Sequence, residues 1–471
     1  MSLDVSRRAL LKSGTSLAAT LVAASVLTAS ANAADKPASL NMLYATSEAN
    51  SDAIKAALPD FKAAFGIDIN LDTMPYNALQ QKAFAELASG SAHYDIMIID
   101  TPWMPALTNK IEPITDMILN PAIAGPELNI KDFIPKVFFD TAVYKKDASH
   151  QHMAVPDAVD PAAIKKAGFE IYGLPMQANA LTLAYRKDLF EDAANKEAFK
   201  KKYSKDLAVP ATWDDFTQVA EFFTNPAERR WGTTLMAGAG DWATDDFKTL
   251  LAAMGGNGYM VSDDFQPVFN SPEGVKALTY YADLIINKKV TPPGTTSASW
   301  DTVATSFGTG LAAMSFNYHS ETLQPSIKGS IGYAVVPNGA GIGPHFGTWM
   351  LSVNSFSANK EWAFKAIQWF TSSAVQSKAL ANQLHPTRRS VYEFAAKDKA
   401  TGDKFGNFYE VLGKSLEVGV GRPRLTNYGD VDREIWVAVN NAARGAATPE
   451  AALKDAADKV VKLLEQAGYK K

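Results

Sequence analysis

The feature that most constrains the fold is an alternation of strand-like and helix-like segments near the start of the chain. Residues 40–44, 67–72 and 95–100 have the apolar or alternating pattern of β-strands, while residues 49–65 and 78–88 carry apolar side chains at helical spacing. A glycine follows each helical segment, as it does at many helix ends. Three strands separated by two helices predict an α/β fold built on a mostly parallel sheet.

A segment typical of export signals precedes these elements. Residues 6–12 read S-R-R-A-L-L-K, an apolar stretch follows at residues 17–27, and residues 31–33 form an A-N-A cleavage site. The apolar stretch is shorter than the roughly 20 residues of a membrane-spanning helix, and the paired arginines favour twin-arginine export. We expect residues 1–33 to be a twin-arginine signal peptide and the protein to work in the periplasm. The alternative is an ordinary secretory signal that contains two arginines.

The composition is that of a globular, two-domain protein. The chain has 471 residues, of which 47% are hydrophobic and 20% charged, and it contains no cysteine. A formal net charge of -4 provides no basic surface for nucleic acid or an anionic membrane. Without cysteine the chain forms no disulfide and has no site for a lipid anchor beside the cleavage point. We therefore expect a soluble periplasmic monomer.

Six short motifs match one protein family in content and in order. They are Y-D-I-M at residues 94–97 followed by Trp103; Y-G-L-P at 172–175 followed by Y-R-K-D-L-F at 185–190; T-W-D-D-F at 212–216; F-G-T-G-L-A-A-M at 307–314; Gly347 and Trp349 followed by A-N-K-E-W-A at 358–363; and E-Q-A-G-Y at 465–469. In these motifs the chain resembles the extracellular solute-binding proteins of ATP-binding-cassette (ABC) importers, in the sugar-binding group that includes maltose-binding protein.

The resemblance implies a two-lobed clamshell, in which each lobe is a mostly parallel sheet flanked by helices. We expect three hinge crossings, near residues 177–179, near Pro337 and near residues 371–374. The corresponding lobes are residues 34–177 and 338–372 for lobe one, and residues 178–337 and 373–471 for lobe two. The resemblance also implies that the protein captures a sugar or polyol and passes it to the permease subunits of an importer. From the resemblance we expect a binding protein and not an enzyme, and we expect no cofactor or metal.

Candidate ligand-binding residues follow from the chemistry of a polyhydroxylated ligand and from this resemblance. Hydroxyl groups pair with planar polar side chains, and C–H faces pack on Trp and Tyr rings. Such side chains belong at the carboxyl ends of strands that face the cleft. The candidates are Ser47, Glu48, Asp100, Trp103, Gln177, Asn179, Asp241, Trp242, Asn317, Tyr318, His319, Gly347, Thr348, Trp349, Arg388 and Arg422.

Several candidates also have a purely structural interpretation. Ser47 can cap the helix that follows it, and Trp103 can pack against neighbouring prolines. Arg388 and Arg422 can form surface ion pairs, whereas several arginines in the cleft would favour an acidic sugar. Trp300 precedes a predicted helix, and core packing is its expected role.

Two other functions are compatible with the sequence. The same fold can bind an anionic ligand, such as a sugar acid, a sulfonated sugar or a polyol phosphate. An exported carbohydrate-active enzyme is the second alternative, although the chain has no G-x-S-x-G motif, no cysteine and one close histidine pair, His150 and His152. That pair lies within residues 121–168, a stretch rich in Pro, Ala and Lys that we expect to be an irregular surface excursion.

Overall fold

The structure is a computed structural model that describes residues 35–46, 50–318 and 331–469. The predicted signal peptide, residues 1–33, lies outside these ranges. Within them, no helix combines the length and the apolar character that crossing a membrane requires.

In the described ranges strands and helices alternate at the start of the chain, and runs of helices follow later. The strands are β1 (Ser39–Ala45), β2 (Asp68–Met74), β3 (Ile96–Asp100), β4 (Val143–Tyr144), β5 (Glu170–Ile171), β6 (Leu174–Ala180), β7 (Thr182–Arg186), β8 (Met314–Asn317), β9 (Ile331–Ala334) and β10 (Phe346–Val353). The helices are α1 (Ser51–Phe65), α2 (Tyr76–Ser89), α3 (Met104–Leu107), α4 (Thr115–Leu119), α5 (Pro135–Ala142), α6 (Pro161–Lys166), α7 (Lys187–Glu191), α8 (Ala193–Tyr203), α9 (Trp213–Phe223), α10 (Asp241–Ala253), α11 (Pro272–Ile286), α12 (Trp300–Gly308), α13 (Lys360–Phe370), α14 (Ser373–Ala379), α15 (Arg389–Lys397), α16 (Lys399–Phe405), α17 (Phe408–Val418), α18 (Tyr428–Ala443) and α19 (Pro449–Gln466).

The larger sheet has five strands in the order β2–β1–β3–β10–β6. β1 is parallel to β2 and β3, while β10 runs antiparallel to its neighbours β3 and β6. Because α1 and α2 connect the first three strands, the predicted strand–helix alternation is confirmed. The two helices end at Gly66 and Gly90, whose φ angles of 63° and 72° are left-handed and cost glycine little.

The smaller sheet differs from the expectation of a mostly parallel sheet in each lobe. Its strands lie in the order β8–β7–β9, and β7 is antiparallel to both neighbours. β7 follows β6 after the single residue Leu181, so the chain passes directly from one sheet into the other. β7 is thus the first strand of the smaller sheet along the chain, and it lies in the centre of that sheet.

Buried apolar side chains form separate cores around the two sheets. The first core surrounds the larger sheet and includes Met42, Ile98 and Phe364, while the second surrounds the smaller sheet and includes Phe216 and Leu251. A third cluster lies where the chain passes between the sheets. Two sheets with two cores and a connecting cluster form a two-lobed α/β molecule.

The stretch from residue 121 to residue 168 is not the surface excursion expected from its composition. It contributes α5 and β4, and Phe133, Phe138 and Tyr144 are fully buried in the first core. α5 packs against β6 and β10. Pro, Ala and Lys dominate the composition of residues 121–168, so composition alone did not reveal the apolar side chains that pack into the core.

The chain passes between the two sheets at Leu181 and again between β9 and β10. Beyond the third predicted crossing, at residues 371–374, Ala379 and Leu384 still belong to the first core. The boundaries of the two lobes stay a prediction.

Candidate functional site

A cavity of about 190 Å³ lies between the edge of the larger sheet and the first turns of two helices, α10 and α12. Nine of the sixteen candidates contribute to its lining, namely Asp100, Gln177, Asn179, Asp241, Asn317, Tyr318, Gly347, Trp349 and Arg422. The remaining lining residues are Asn50, Tyr76, Asp245, Trp300, Asp301, Gln383 and His385.

Three neighbouring strands build one side of the cavity, and we call Asp100, Gln177, Asn179, Gly347 and Trp349 the strand-end wall. Trp349 on β10 is paired with Asp100 on β3 and with Gln177 on β6, and Gly347 is paired with Asn179. Residues directly opposite in a ladder project to the same face of the sheet. The hydrogen bonds of the sheet therefore fix the position of the whole wall.

Asp100 is held at the end of β3 by two donors. The hydroxyl of Tyr76 donates to Oδ2 at 2.8 Å, and the backbone N–H of Thr101 donates to Oδ1 at 2.9 Å. Asp100 is 3% exposed, and this burial raises the pKa of its carboxyl group to about 6, against the opposing effect of Arg422. Its remaining lone pairs can accept hydroxyl groups of a ligand.

Helix starts build the opposite side, and we call Asp241, Asp245, Trp300 and Asp301 the helix wall. Asp241 and Asp245 are one turn apart on α10, so their carboxyl groups lie on the same face of the helix. The hydroxyl of Tyr318 donates to Oδ2 of Asp245 at 2.6 Å. Burial raises the pKa of both carboxyl groups, and for Asp241 the neighbouring Asp245 adds to the rise.

Arg422 is the one arginine among the lining residues that the structure describes. Its Nη2 lies 3.8 Å from Oδ2 of Asp245. Burial alone would lower the pKa of its guanidinium, but Asp245 and Asp100 hold that pKa above the ordinary value, so Arg422 stays charged. A Cβ at residue 347 would lie 3.0 Å from Nη1 of Arg422, so Gly347 leaves the space that the guanidinium needs.

The lining carries more acidic than basic side chains, because four aspartates surround the single arginine. Behind the lining, the fully buried His345 has its Nε2 3.2 Å from Oδ1 of Asp245. Burial holds the pKa of His345 well below its ordinary value, so this histidine adds no positive charge at neutral pH. The cavity thus combines acceptors for hydroxyl groups with four aromatic rings, those of Tyr76, Trp300, Tyr318 and Trp349.

Two candidates near the strand-end wall lie beneath the lining. Trp103 is 2% exposed, and its ring packs 5.3 Å from that of Tyr76 and 5.6 Å from that of Trp349, between centroids. Thr348 is fully buried because its side chain projects to the sheet face opposite to that of Trp349, where its hydroxyl lies 2.7 Å from the hydroxyl of Thr101. Both residues support the wall from behind.

Two more candidates lie away from the lining. Trp242 follows Asp241 on α10, and its half-buried ring packs edge-on against that of Trp300 at 5.0 Å. Arg388 forms a buried ion pair and not a surface one, because its Nη1 lies 3.6 Å from Oδ2 of Asp132 and the side chain is fully buried. It also donates to the backbone carbonyls of Leu128 and Asn129 at 2.8 and 3.0 Å. The last three candidates, Ser47, Glu48 and His319, lie outside the described residues.

Sequence reasoning missed several lining residues that had a detectable signal. Tyr76 lies two residues after the end of β2, close to the position that the strand-end rule selects. Asp245 lies four residues after Asp241, the spacing that places two side chains on one face of a helix. Trp300 and Asp301 open α12, although Trp300 was expected in the core. Gln383 and His385 follow a short helical turn and carry no pattern that marks them.

The described residues contain no group of three or more His, Cys, Asp or Glu side chains arranged to hold a metal ion.

The fold defines a class of protein, the two-lobed α/β binding proteins, and the cavity lies between the parts built on its two main sheets. The sequence matches the family of bacterial extracellular solute-binding proteins over residues 45–377, so the chain belongs to this family. The family predicted from the motifs, the solute-binding proteins of sugar ABC importers, is thereby confirmed.

Individual relatives are distant but cover most of the chain. A probable amino-acid ABC transporter periplasmic-binding protein from Sinorhizobium fredii is 25% identical over 91% of this chain and 90% of its own length. The mannitol-binding protein of Pseudomonas aeruginosa is 23% identical over 67% of this chain and 74% of its own length. An ABC transporter solute-binding protein from Agrobacterium radiobacter, solved in complex with ribitol, is 26% identical, covers 91% of this chain and all of its own, and has a TM-score of 0.71.

Proposed function

We propose that this protein captures a sugar or polyol in the cavity between its lobes and delivers it to the permease subunits of an ABC importer. The observation that carries the proposal is the lining itself, in which carboxyl and amide groups alternate with aromatic rings. Such a surface suits a ligand with hydroxyl groups around its edge and C–H groups on its faces. The ribitol and mannitol bound by two relatives are ligands of this kind.

An uncharged ligand fits the charges of the cavity better than an anion. Four lining aspartates face one arginine, and the guanidinium of Arg422 already lies near Asp245. A sugar acid or polyol phosphate would bring another negative charge into a buried, low-dielectric site, where like charges repel strongly. The anionic alternative therefore ranks below a neutral sugar or polyol.

The two remaining alternatives are an amino acid, the ligand class in the name of the Sinorhizobium relative, and a glycoside that the protein would hydrolyse. Glycosidases require two carboxyl groups in acid and base or nucleophile roles. The family consists of binding proteins, and reversible binding without turnover is the function that we propose. We also propose that residues 1–33 direct twin-arginine export, and that the protein is a periplasmic monomer without a lipid anchor.

The test is a thermal-shift panel of erythritol, ribitol, mannitol, glucose, maltose, gluconate, ribitol phosphate and amino acids, with titration calorimetry of every compound that shifts the melting temperature. A true ligand at 100 times its Kd stabilises the native state by about 2.7 kcal/mol. We expect a neutral sugar or polyol to bind and to be recovered chemically unchanged. Binding of anions or amino acids alone, or turnover of the ligand, would refute the proposal.

A matched pair of variants tests whether the cavity is the site. Asp241 lies in the first turn of α10 inside the cavity, whereas Asp214 lies in the first turn of α9 and is exposed. We expect Asp241→Asn to weaken binding at least tenfold and Asp214→Asn to leave it within twofold. If the two substitutions weakened ligand binding equally, the cavity would not be the binding site.

A further inference from the structure

Arg424, a residue that does not line the cavity, is buried against the C-terminal end of α5. Its guanidinium donates to the backbone carbonyls of Phe139, Asp140 and Val143 at 2.6, 3.0 and 2.8 Å, and it lies 4.0 Å from the ring centroid of Tyr144. The last carbonyls of a helix lack partners within the helix and attract cations. Arg424 is 4% exposed, so these contacts attach the chain near residue 424 firmly to the first core.

The chain just before Arg424 is also held by the other lobe. Lys248, on α10, is 1% exposed and donates to the carbonyls of Val420, at 3.1 Å, and Gly421. The backbone N–H of Val420 also donates to the carbonyl of Pro344 at 2.9 Å. Residues 420–424 therefore form a connecting segment that is bonded to α10 at one end and to α5 at the other.

Arg422 occupies the middle of this connecting segment and is the residue that reaches the cavity. The adjacent Pro423 has a fixed φ angle, which limits how the backbone between Arg422 and Arg424 can adjust. A Cβ at Gly421 would lie 2.4 Å from Oδ1 of Asp140, so the segment lies against α5 without space for a side chain there. The backbone is thus held on both sides of Arg422, by Lys248 at Val420 and Gly421 and by the contacts of Arg424 two residues further on.

We propose that Arg424 is a positioning residue for ligand binding, which holds Arg422 between the two walls of the cavity by fixing the connecting segment to α5. This inference rests on the proposed function, because it requires Arg422 to contact the ligand. It assigns a role to a residue outside the lining, and it explains why a second arginine is buried two positions from the first.

A double-mutant cycle separates positioning from general stabilisation. Arg424→Gln, Arg422→Gln and the double variant are titrated with whichever of ribitol, mannitol and glucose binds the wild-type protein most tightly. If Arg424 acts through Arg422, Arg424→Gln weakens binding at least tenfold in the wild type and by less than twofold in the Arg422→Gln background. Arg424→Lys keeps the charge but not the forked set of N–H donors. We expect its ligand affinity to lie between those of the wild type and Arg424→Gln.

Arg388 provides the matched control, because it makes the same kind of contacts at another place. It is fully buried, donates to three backbone carbonyls and lies 3.8 Å from the ring centroid of Phe133. We expect Arg388→Gln to lower the melting temperature as much as Arg424→Gln does, with ligand affinity within twofold of the wild type.

Three outcomes would overturn the inference: full affinity in Arg424→Gln, additive losses in the double variant, or an equal loss of affinity in Arg388→Gln. If Arg424→Gln does not fold, the cycle is built with Arg424→Lys and the same criteria apply. If the wild-type protein binds none of the three probes but binds another neutral sugar or polyol of the thermal-shift panel, the cycle is titrated with that compound. A wild-type protein that binds no neutral sugar or polyol would instead refute the proposed function, so the two failures are distinguishable.

Discussion

The two walls of the cavity are built in different ways. The strand-end wall rests on a ladder of three strands, and its ring residue Trp349 is 4% exposed, with Trp103 packed behind it. The helix wall rests on the first turns of α10 and α12, and its ring residue Trp300 is half-buried. One wall is part of a hydrophobic core, while the other projects from helix ends. We expect substitutions in the first wall to affect folding and binding together, and those in the second to affect mainly binding.

The largest effect is expected from the tryptophan of the strand-end wall. Trp349→Ala removes a buried ring that packs against Tyr76 and Trp103, and truncation of such a ring costs about 3–5 kcal/mol. Trp300→Ala should lower the free energy of unfolding by less than half of that. It should weaken ligand binding about as much as Trp349→Ala does. Urea denaturation and titration calorimetry of both variants measure the two quantities. Equal losses of stability would contradict the contrast between the walls.

A smaller effect is expected from replacing the buried carboxylate of each wall. Asp100→Asn and Asp245→Asn should each weaken binding by roughly 1.5–3 kcal/mol, the value of a hydrogen bond to a charged group. The loss should be greater for Asp245→Asn, because Asp245 lies 3.8 Å from Arg422 and also accepts from Tyr318. Calorimetric Kd values at pH 7.5 provide the comparison, and wild-type affinity in either variant would exclude that aspartate from the site.

The contrast between the walls also explains which parts of the site could be predicted from the sequence. Asp100, Gln177 and Trp349 follow or belong to strands with a clear apolar pattern, and strand ends of an α/β sheet are where ligand residues collect. On the other side, the candidates Asp241 and Trp242 directly follow Gly238 and Gly240, and glycines of this spacing indicate a loop. Because the start of α10 was not recognised there, the helical spacing that brings Asp245 beside Asp241 was not used.

Side-chain direction and long-range partners limited the prediction further. The sequence marks Trp103 as a residue after a strand, but only the packing of Tyr76 and Trp349 directs its ring into the core. Arg388 binds the carbonyl groups of Leu128 and Asn129, which are about 260 positions earlier in the chain. No local pattern encodes contacts of that kind. For the same reason the alternation of strands and helices predicted the larger sheet, while the antiparallel order of the smaller sheet needed the three-dimensional fold.

Ligand affinity should change moderately with pH, through the carboxyl group of Asp100 in the strand-end wall. Burial raises the pKa of Asp100 to about 6. A ligand hydroxyl donates to the ionised carboxylate, so the bound state has the lower pKa and binds fewer protons. Affinity should therefore rise with pH through this range and weaken by up to about fivefold from pH 6 to pH 5.

The matched variant Asp100→Asn isolates this group from the other aspartates of the cavity. Calorimetry between pH 5 and pH 8 should give a shallower dependence for Asp100→Asn than for the wild type, with the curves closest at low pH. Identical slopes in the two proteins would assign the dependence to Asp241 or Asp245, whose pKa values are also raised by burial.

The smallest effect is expected at Trp242, which the sequence suggested as a ligand contact. Its ring lies edge-on against Trp300 at 5.0 Å and packs into the second core, so it supports the ring of the helix wall from the side. Because an edge-to-face pair is worth about 0.5–1.5 kcal/mol and phenylalanine retains an aromatic edge, Trp242→Phe should weaken binding by no more than about threefold. Trp242→Ala removes the support altogether and should weaken binding further, but less than Trp300→Ala does. If Trp242→Ala matches Trp300→Ala, Trp242 contacts the ligand directly, and the helix wall extends one residue further along α10.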